Sequence, residues 1–277
     1  MAELSRQDAE KLVESIDIPP RPAVVLAIMD EKARDDPDLA LIADAISRDV
    51  GISAAMLKTV NSPFFGLRQT VRSVGQAVNL LGLSRVVTLA NSLALRTSLN
   101  AQGIERFWDQ SARTAMISAW LAGKYGHNRD EAHLFGLFRD SGIPLLMKRF
   151  KDYKETLRLA NEDPRGFSAV EDERHGMNHA VIGAILARNW QLDELVRNAI
   201  RNHHDLEVFT LTQDGAMKNL IAIAHLAGQL ESRYSRNRDD GEWKRFSQAV
   251  LSWLMIDEED VEPLAQEVGS LLLESGL

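Results

Sequence analysis

Three short segments carry the polar residues best suited to chemistry. LFGLFRDSG (134–142) has the apolar-flanked build of a helix that turns Arg139 and Asp140 inward. DERHGMNHA (172–180) spaces His175 and His179 at i, i+4, so one continuous helix would set both on one face. RNHHD (201–205) places His203 and His204 side by side before Asp205. Imidazole and carboxylate are ligands for divalent cations and carriers of protons. The guanidinium of Arg139 is neither: it has no lone pair, repels a cation and pairs with a carboxylate. The residues alone favour the plainer reading of structural histidines, with His203 or His204 capping a carbonyl or pairing with Asp205. Gly176 inside the His175–His179 interval weakens the single-helix expectation.

Other chemistries find no support. No phosphate loop, dinucleotide fingerprint or nucleophile elbow occurs, and GKYG (123–126) lacks phosphate-loop spacing. With no cysteine, disulfides, thiolate metal sites and thiol nucleophiles are excluded. The chain has 277 residues, 45% hydrophobic and 26% charged, as in ordinary globular proteins. A net charge of −8 disfavours a broad nucleic-acid footprint. MAELSRQDAEKLVES does not read as a signal peptide, and no apolar run approaches the ~18–20 residues of a membrane helix. The expectation is a cytoplasmic protein with no membrane segment.

The elements that must position these groups read as helices throughout. In LSRVVTLANSLALRTSL, Leu83, Val86, Val87, Ala90, Leu93 and Ala94 share a face. Asp36-Pro37 and Ser53 mark helix starts; Gly51, Gly66, Gly82, Gly126 and Gly142 mark stops. No segment alternates convincingly as a strand. The class is all-α, with a weak seam near Asn100-Ala101-Gln102-Gly103.

Residues 16–100 contain, in order, PPRPAV, DPDLALIADAISRD, NSPFFGL and AVNLLGLSRV; FWDQS, LFGLFRDSGIPLL, DERHGMNHAVIGAILARNW and AIRNHHD follow. This succession resembles the HDOD (HD-related output) domain of bacterial signalling proteins over about residues 16–212. The resemblance implies an HD-related multi-helical fold of two lobes sharing a core, one about 16–100 and an HD-like one about 101–212. Residues 213–277 are expected as C-terminal helices packing on the HD-like lobe. It also implies relatedness to the HD metal-dependent phosphohydrolases, whose metal is held by a histidine, a His-Asp pair and a distal aspartate. Those positions correspond to Gln110, Arg139-Asp140 and Gly228, so three of the four defining ligands are absent. Asp140, His179 and His203 remain as residual ligands for zinc, manganese or iron, with His175 or His204 as substitutes; three protein ligands and a water suffice for catalytic zinc.

The function expected from this resemblance is regulatory: a signal-transduction module that binds a protein partner, with a degenerate metal site. The pocket around Gln110, Arg139, Asp140, His179 and His203 would suit an anionic guest. The alternative is a divergent metal-dependent phosphohydrolase acting on a phosphoester or nucleotide. A helix-turn-helix layout at 41–61 suggests DNA reading, but the second helix carries almost no base-reading arginine, and Asp44 and Asp49 oppose phosphates. A packed helical hairpin is the better reading, and nucleic acid is not the expected partner. Phe64 and Phe65 of NSPFFGL, and Trp108, Trp120 and Trp190, are expected as core.

Overall fold

The computed structural model describes residues 15–61, 67, 69–99 and 104–275, with 274 and 275 described by backbone alone. The N-terminal segment 1–14, the centre of NSPFFGL with its two phenylalanines, and the seam at 100–103 lie outside the described residues. Among those described there are fifteen α-helices, one 3₁₀ turn and no strand. The protein is all-α, as its periodicity implies.

The chain divides into two compact units, residues 20–100 with 267–277, and residues 1–19 with 101–266. The first contains α1 (Ala23–Lys32), α2 (Leu39–Arg48), α3 (Val50–Val60) and α4 (Val74–Ser98). Local chemistry sets their ends. The Asp38 carboxylate accepts the Ala40 N–H to start α2. Asp49 closes α2 and, accepting from the Ile52 N–H, opens α3. The start therefore falls four residues before Ser53, and Gly51 lies inside the helix. Ile42, Ile46, Ile52, Met56 and Val60 are buried, and α2 and α3 both pack on α4. α4 alone among the described helices is long and apolar enough to cross a membrane, a length the sequence reading did not anticipate. It breaks its helical geometry at Gly82 (φ 73°) and buries Ala77, Val78, Val86 and Ala90 in its own unit.

The second unit holds the polar segments. α5 (Glu105–Lys124) and α6 (Arg129–Phe138) form an antiparallel pair, followed by α7 (Gly142–Arg149), α8 (Tyr153–Glu162) and α9 (Phe167–His175). Next come α10 (His179–Asn189), α11 (Glu194–Asn202), the short α12 (Val208–Leu211), α13 (Gly215–Arg236) and α14 (Trp243–Leu254). A 3₁₀ turn (Glu258–Asp260) leads to α15 (Val261–Ser275). α13 is the axial element, packing on α5, α6, α11 and α14 and burying every residue from Leu220 to Ser232. Trp108, Phe135, Phe138, Tyr153, Trp190 and Phe246 fill the core. Trp120, expected there too, is only half-buried, with the Lys124 ammonium 5.1 Å from its ring centroid.

Two glycines let helices approach closely beside Arg139-Asp140. A Cβ on Gly136 would lie 2.9 Å from Ala115 Cα on α5, and one on Gly142 only 2.1 Å from the His179 carbonyl oxygen. Gly142 thus begins α7 against the start of α10, where the sequence suggested a stop. Gly142→Ala should destabilise the protein by ~1–3 kcal/mol through forced separation of these helices. Gly75→Ala, in an open helical position of α4 with nothing within 4 Å, should instead stabilise it by ~0.4–1 kcal/mol. Denaturant titration of both variants checks the contrast.

Candidate functional site

Asp140 follows the last turn of α6, His179 is the first residue of α10, and His203 and His204 follow α11. Their ligand atoms all lie within 4.8 Å of one another. Asp140 Oδ1 is 3.3 Å from His203 Nε2 and 3.5 Å from His179 Nε2, while His179 Nε2 and His204 Nε2 are 2.9 Å apart. His204 therefore joins the group. His175 does not: α9 ends there, Gly176 caps it in the left-handed region (φ 71°), and the chain restarts at His179. The one-face expectation for this pair fails because two helices span the interval. His175 instead stacks on Phe150 and hydrogen-bonds through Nε2 to the Thr156 hydroxyl.

Each imidazole is oriented through its other nitrogen. His179 Nδ1 meets the buried Glu171 carboxylate at 2.8 Å, and its backbone N–H donates to the same group at 3.1 Å. Tyr153 donates its hydroxyl proton to Glu171 from the far side. His203 Nδ1–H donates to the Ile200 carbonyl at 2.7 Å, and His204 Nδ1 bonds Glu242. The Asp205 pairing considered for these histidines is not formed; its carboxylate accepts from the Glu207 N–H. With the three Nδ1 atoms engaged, the Nε2 atoms converge on Asp140, and buried His203 Nε2 has no hydrogen-bond partner. Three imidazole nitrogens and a carboxylate oxygen, each imidazole braced by an outer acceptor, make a donor set suited to a divalent cation, zinc above all.

Arg139 occupies the other side of Asp140. Its Nε donates to Asp140 Oδ2 at 3.2 Å and its Nη1 to the Ala224 carbonyl at 3.0 Å. Nη2 lies 3.2 Å from where a Cβ on Gly228 would stand and has no hydrogen-bond partner among the described residues. A guanidinium thus fills the space beside the side-chain-free Gly228. Gln110 lines the same cavity of about 330 Å³, with Lys154, Asn161 and Arg236 also on its wall.

Burial and charge set the protonation states. Burial acts to raise the Asp140 carboxyl, but Arg139 and the two histidines hold it well below the usual carboxylate range. Burial disfavours the His179 imidazolium, yet the Glu171 and Asp140 carboxylates raise it to about 10. His204 is pushed well below an ordinary histidine by burial and by His203 and His179. With His179 protonated and His204 neutral, His179 Nε2–H is the donor to His204 Nε2 across their 2.9 Å separation. His225, pushed down to about 3 mainly by burial, donates from Nε2 to the His203 carbonyl and stacks on Phe246.

Glu171, Tyr153, Glu242 and His225 were not identified from the sequence. Only Glu171 left a signal there, as an acid eight residues before His179.

The HDOD domain family profile matches residues 18–206. An uncharacterized protein of Treponema pallidum (strain Nichols) is 30% identical over 200 residues, covering 69% of this chain but only 38% of that protein. A crystal structure from Shewanella amazonensis SB2B, of a protein provisionally named a phosphohydrolase, superposes with TM-score 0.73 at 22% identity, covering 96% of this chain and 95% of the other. An HDOD domain protein of unknown function from Geobacter sulfurreducens gives 0.70 at 21%, covering 96% of each. A protein from Marinobacter aquaeolei VT8, provisionally named a signal transduction protein, gives 0.73 at 23%, covering 98% of this chain and 65% of that one. These likenesses show a shared all-helical fold.

A cation entering the cluster must displace the His179 Nε2 proton. Cobalt(II) affinity should therefore tighten about tenfold per pH unit from ~6.5 upward, levelling as pH nears about 10. Chelator competition across that range measures it. In the metal-free protein the sign reverses. The stability contributed by His179 is complete below the ordinary histidine pKa and is lost as pH rises toward about 10. The thermal midpoint should fall over that window, and less so in Glu171→Gln.

Proposed function

The chain belongs to the HDOD family, and from that premise we propose that it is a regulatory module acting by binding rather than by turnover. Its pocket takes one divalent cation at Asp140, His179, His203 and His204 and an anionic group beside it, and so presents a ligand-dependent surface to a protein partner in a signalling pathway. The name carried by the Marinobacter neighbour is consistent with this role.

The observation that carries the reading is the divided carboxylate of Asp140. Oδ1 faces the histidines while Oδ2 is held by Arg139. An aspartate that bridges two cations needs both oxygens; here a fixed guanidinium charge takes the second. A bound cation would supply Lewis acidity and a lowered pKa for a coordinated water. The chain's own part is to hold three imidazoles in one tautomer and to exclude a second metal with Arg139. Arg139 Nη2, Lys154 and Arg236 give the cavity cationic groups for a phosphate or carboxylate guest.

A second reading, a metal-dependent phosphohydrolase with one cation, draws on the same convergence of Nε2 atoms, since three histidines and a carboxylate suffice for catalytic zinc.

Metal content of protein purified without chelator should be about one per chain, and should fall on mutating His179 or Asp140. Calorimetric titration of the zinc-loaded protein with inorganic phosphate should show saturable binding weakened at least about tenfold in Arg139→Gln. Phosphomonoesters and cyclic dinucleotides should remain intact with zinc, manganese or iron. Hydrolysis that chelator and Asp140→Ala both abolish would replace this reading with the phosphohydrolase.

A further inference from the structure

The family match stops at residue 206, yet one of the groups that orients the histidine cluster comes from beyond it. Of the three imidazoles, His179 is braced by Glu171 and His203 by the Ile200 carbonyl, both within the matched span. His204 is braced by Glu242, 38 positions along the chain, at the start of α14.

We propose that Glu242 is a positioning residue of the cation site, fixing His204 with its proton on Nδ1 and its Nε2 lone pair toward Asp140 and His179. The C-terminal segment then completes a site that the family-matched residues leave one oriented ligand short. This rests on the cation reading above and assigns Glu242 a role within it.

Five contacts define the arrangement. The Glu242 side chain is 8% exposed, with Oε2 on His204 Nδ1 and Oε1 accepting from Arg245 Nη1 at 3.3 Å. Arg245 Nη2 donates to the His204 carbonyl at 3.1 Å, so Glu242 and Arg245 grip both the side chain and the main chain of one residue. Asp240 Oδ1 accepts the Glu242 backbone N–H at 3.1 Å, fixing the turn from which the carboxylate projects. Phe167 stacks on His204 with ring centroids 5.6 Å apart and planes 19° from parallel, leaving the ring little freedom to rotate.

Gly166 makes room for the clamp. It sits at φ 92°, a conformation that favours glycine, and a Cβ there would fall 2.0 Å from Arg245 Nη1 and push the guanidinium out of its place. A carboxylate is also the chemically specific choice at position 242. It can only accept, so it compels His204 to carry the proton on Nδ1. An amide can donate as well, which would allow the proton to move to Nε2 and cancel that lone pair.

The test compares zinc affinity of the full-length wild type, Glu242→Gln and Glu242→Asp by chelator competition. It adds the visible spectrum of the cobalt(II) forms and thermal unfolding of the metal-free forms. Glu242→Gln should bind zinc ~10–100-fold more weakly, with an altered cobalt spectrum and a metal-free melting curve close to wild type, and Glu242→Asp should recover part of the loss. Affinity within about threefold of wild type in a folded Glu242→Gln would overturn the assignment. A parallel fall in metal-free stability and affinity, with an unchanged cobalt spectrum, would do so too, by reducing Glu242 to a fold-holding residue. Should Glu242→Gln fail to fold, nitrogen-15 spectra of histidines in the zinc-loaded wild type decide. A proton on His204 Nδ1 with Nε2 metal-bound supports the proposal, and the opposite tautomer sinks it. A wild type that takes up no cation would defeat both this assignment and the site reading beneath it, whereas a binding wild type with an indifferent Glu242 defeats this assignment alone.

Discussion

The pocket depends on how Asp140 spends its two oxygens. One oxygen faces a guanidinium and the other faces imidazoles, so a single carboxylate joins a fixed charge to a set of potential ligands. Burial makes that sharing consequential. Removing one member of a buried charged pair leaves its partner without compensation, a cost of several kcal/mol, on the order of 3–5. Arg139, largely buried itself, keeps its charge because the Asp140 carboxylate and the Ala224 carbonyl accept hydrogen bonds from its N–H groups. The absence of a side chain at Gly228 is what gives the guanidinium room. The arginine at 139 and the glycine at 228 are therefore one structural solution rather than two separate losses.

Around this pair the charges are balanced in an ordered sequence. Glu171 holds His179 as a cation and is itself satisfied by Tyr153 and the His179 backbone. His204 stays neutral and accepts from it, and Glu242 and Arg245 anchor the far side. Low dielectric strengthens every bond in such a network and penalises any member left unmatched. Among the three imidazoles, His203 Nε2 is buried without a hydrogen-bond partner, 3.3 Å from Asp140 Oδ1 and facing the same point as the other Nε2 atoms.

Helix packing supplies the geometry that the chemistry uses. Gly136 brings α6 against α5, and Gly142 sets the start of α7 on the His179 carbonyl. Asp140 lies between these two approaches, so its position is governed by backbone contacts with little freedom to relax. α13 carries the Ala224 carbonyl, Gly228 and His225 past the site on one rigid element.

The all-α class, the helical segments and the pairing of a non-ligand Arg139 with Asp140 were legible in the sequence because they depend on local rules. Apolar spacing fixes a helix face, and an arginine without a lone pair cannot be a ligand wherever it sits. Even there, boundaries moved: Asp49 rather than Ser53 caps α3, because its side chain reaches the Ile52 N–H. The membership of the histidine cluster was not legible. His175 and His204 looked equivalent as substitutes, and a left-handed turn at Gly176 separated one while packing brought in the other. Nor did any local pattern point from His204 to Glu242 or from Arg139 to Ala224, 85 positions apart. Such pairs arise only when several helices have docked, since the partner of a buried polar group is chosen by what the packed core leaves within reach. Sequence alone determined which groups could do chemistry; tertiary structure decided which of them meet.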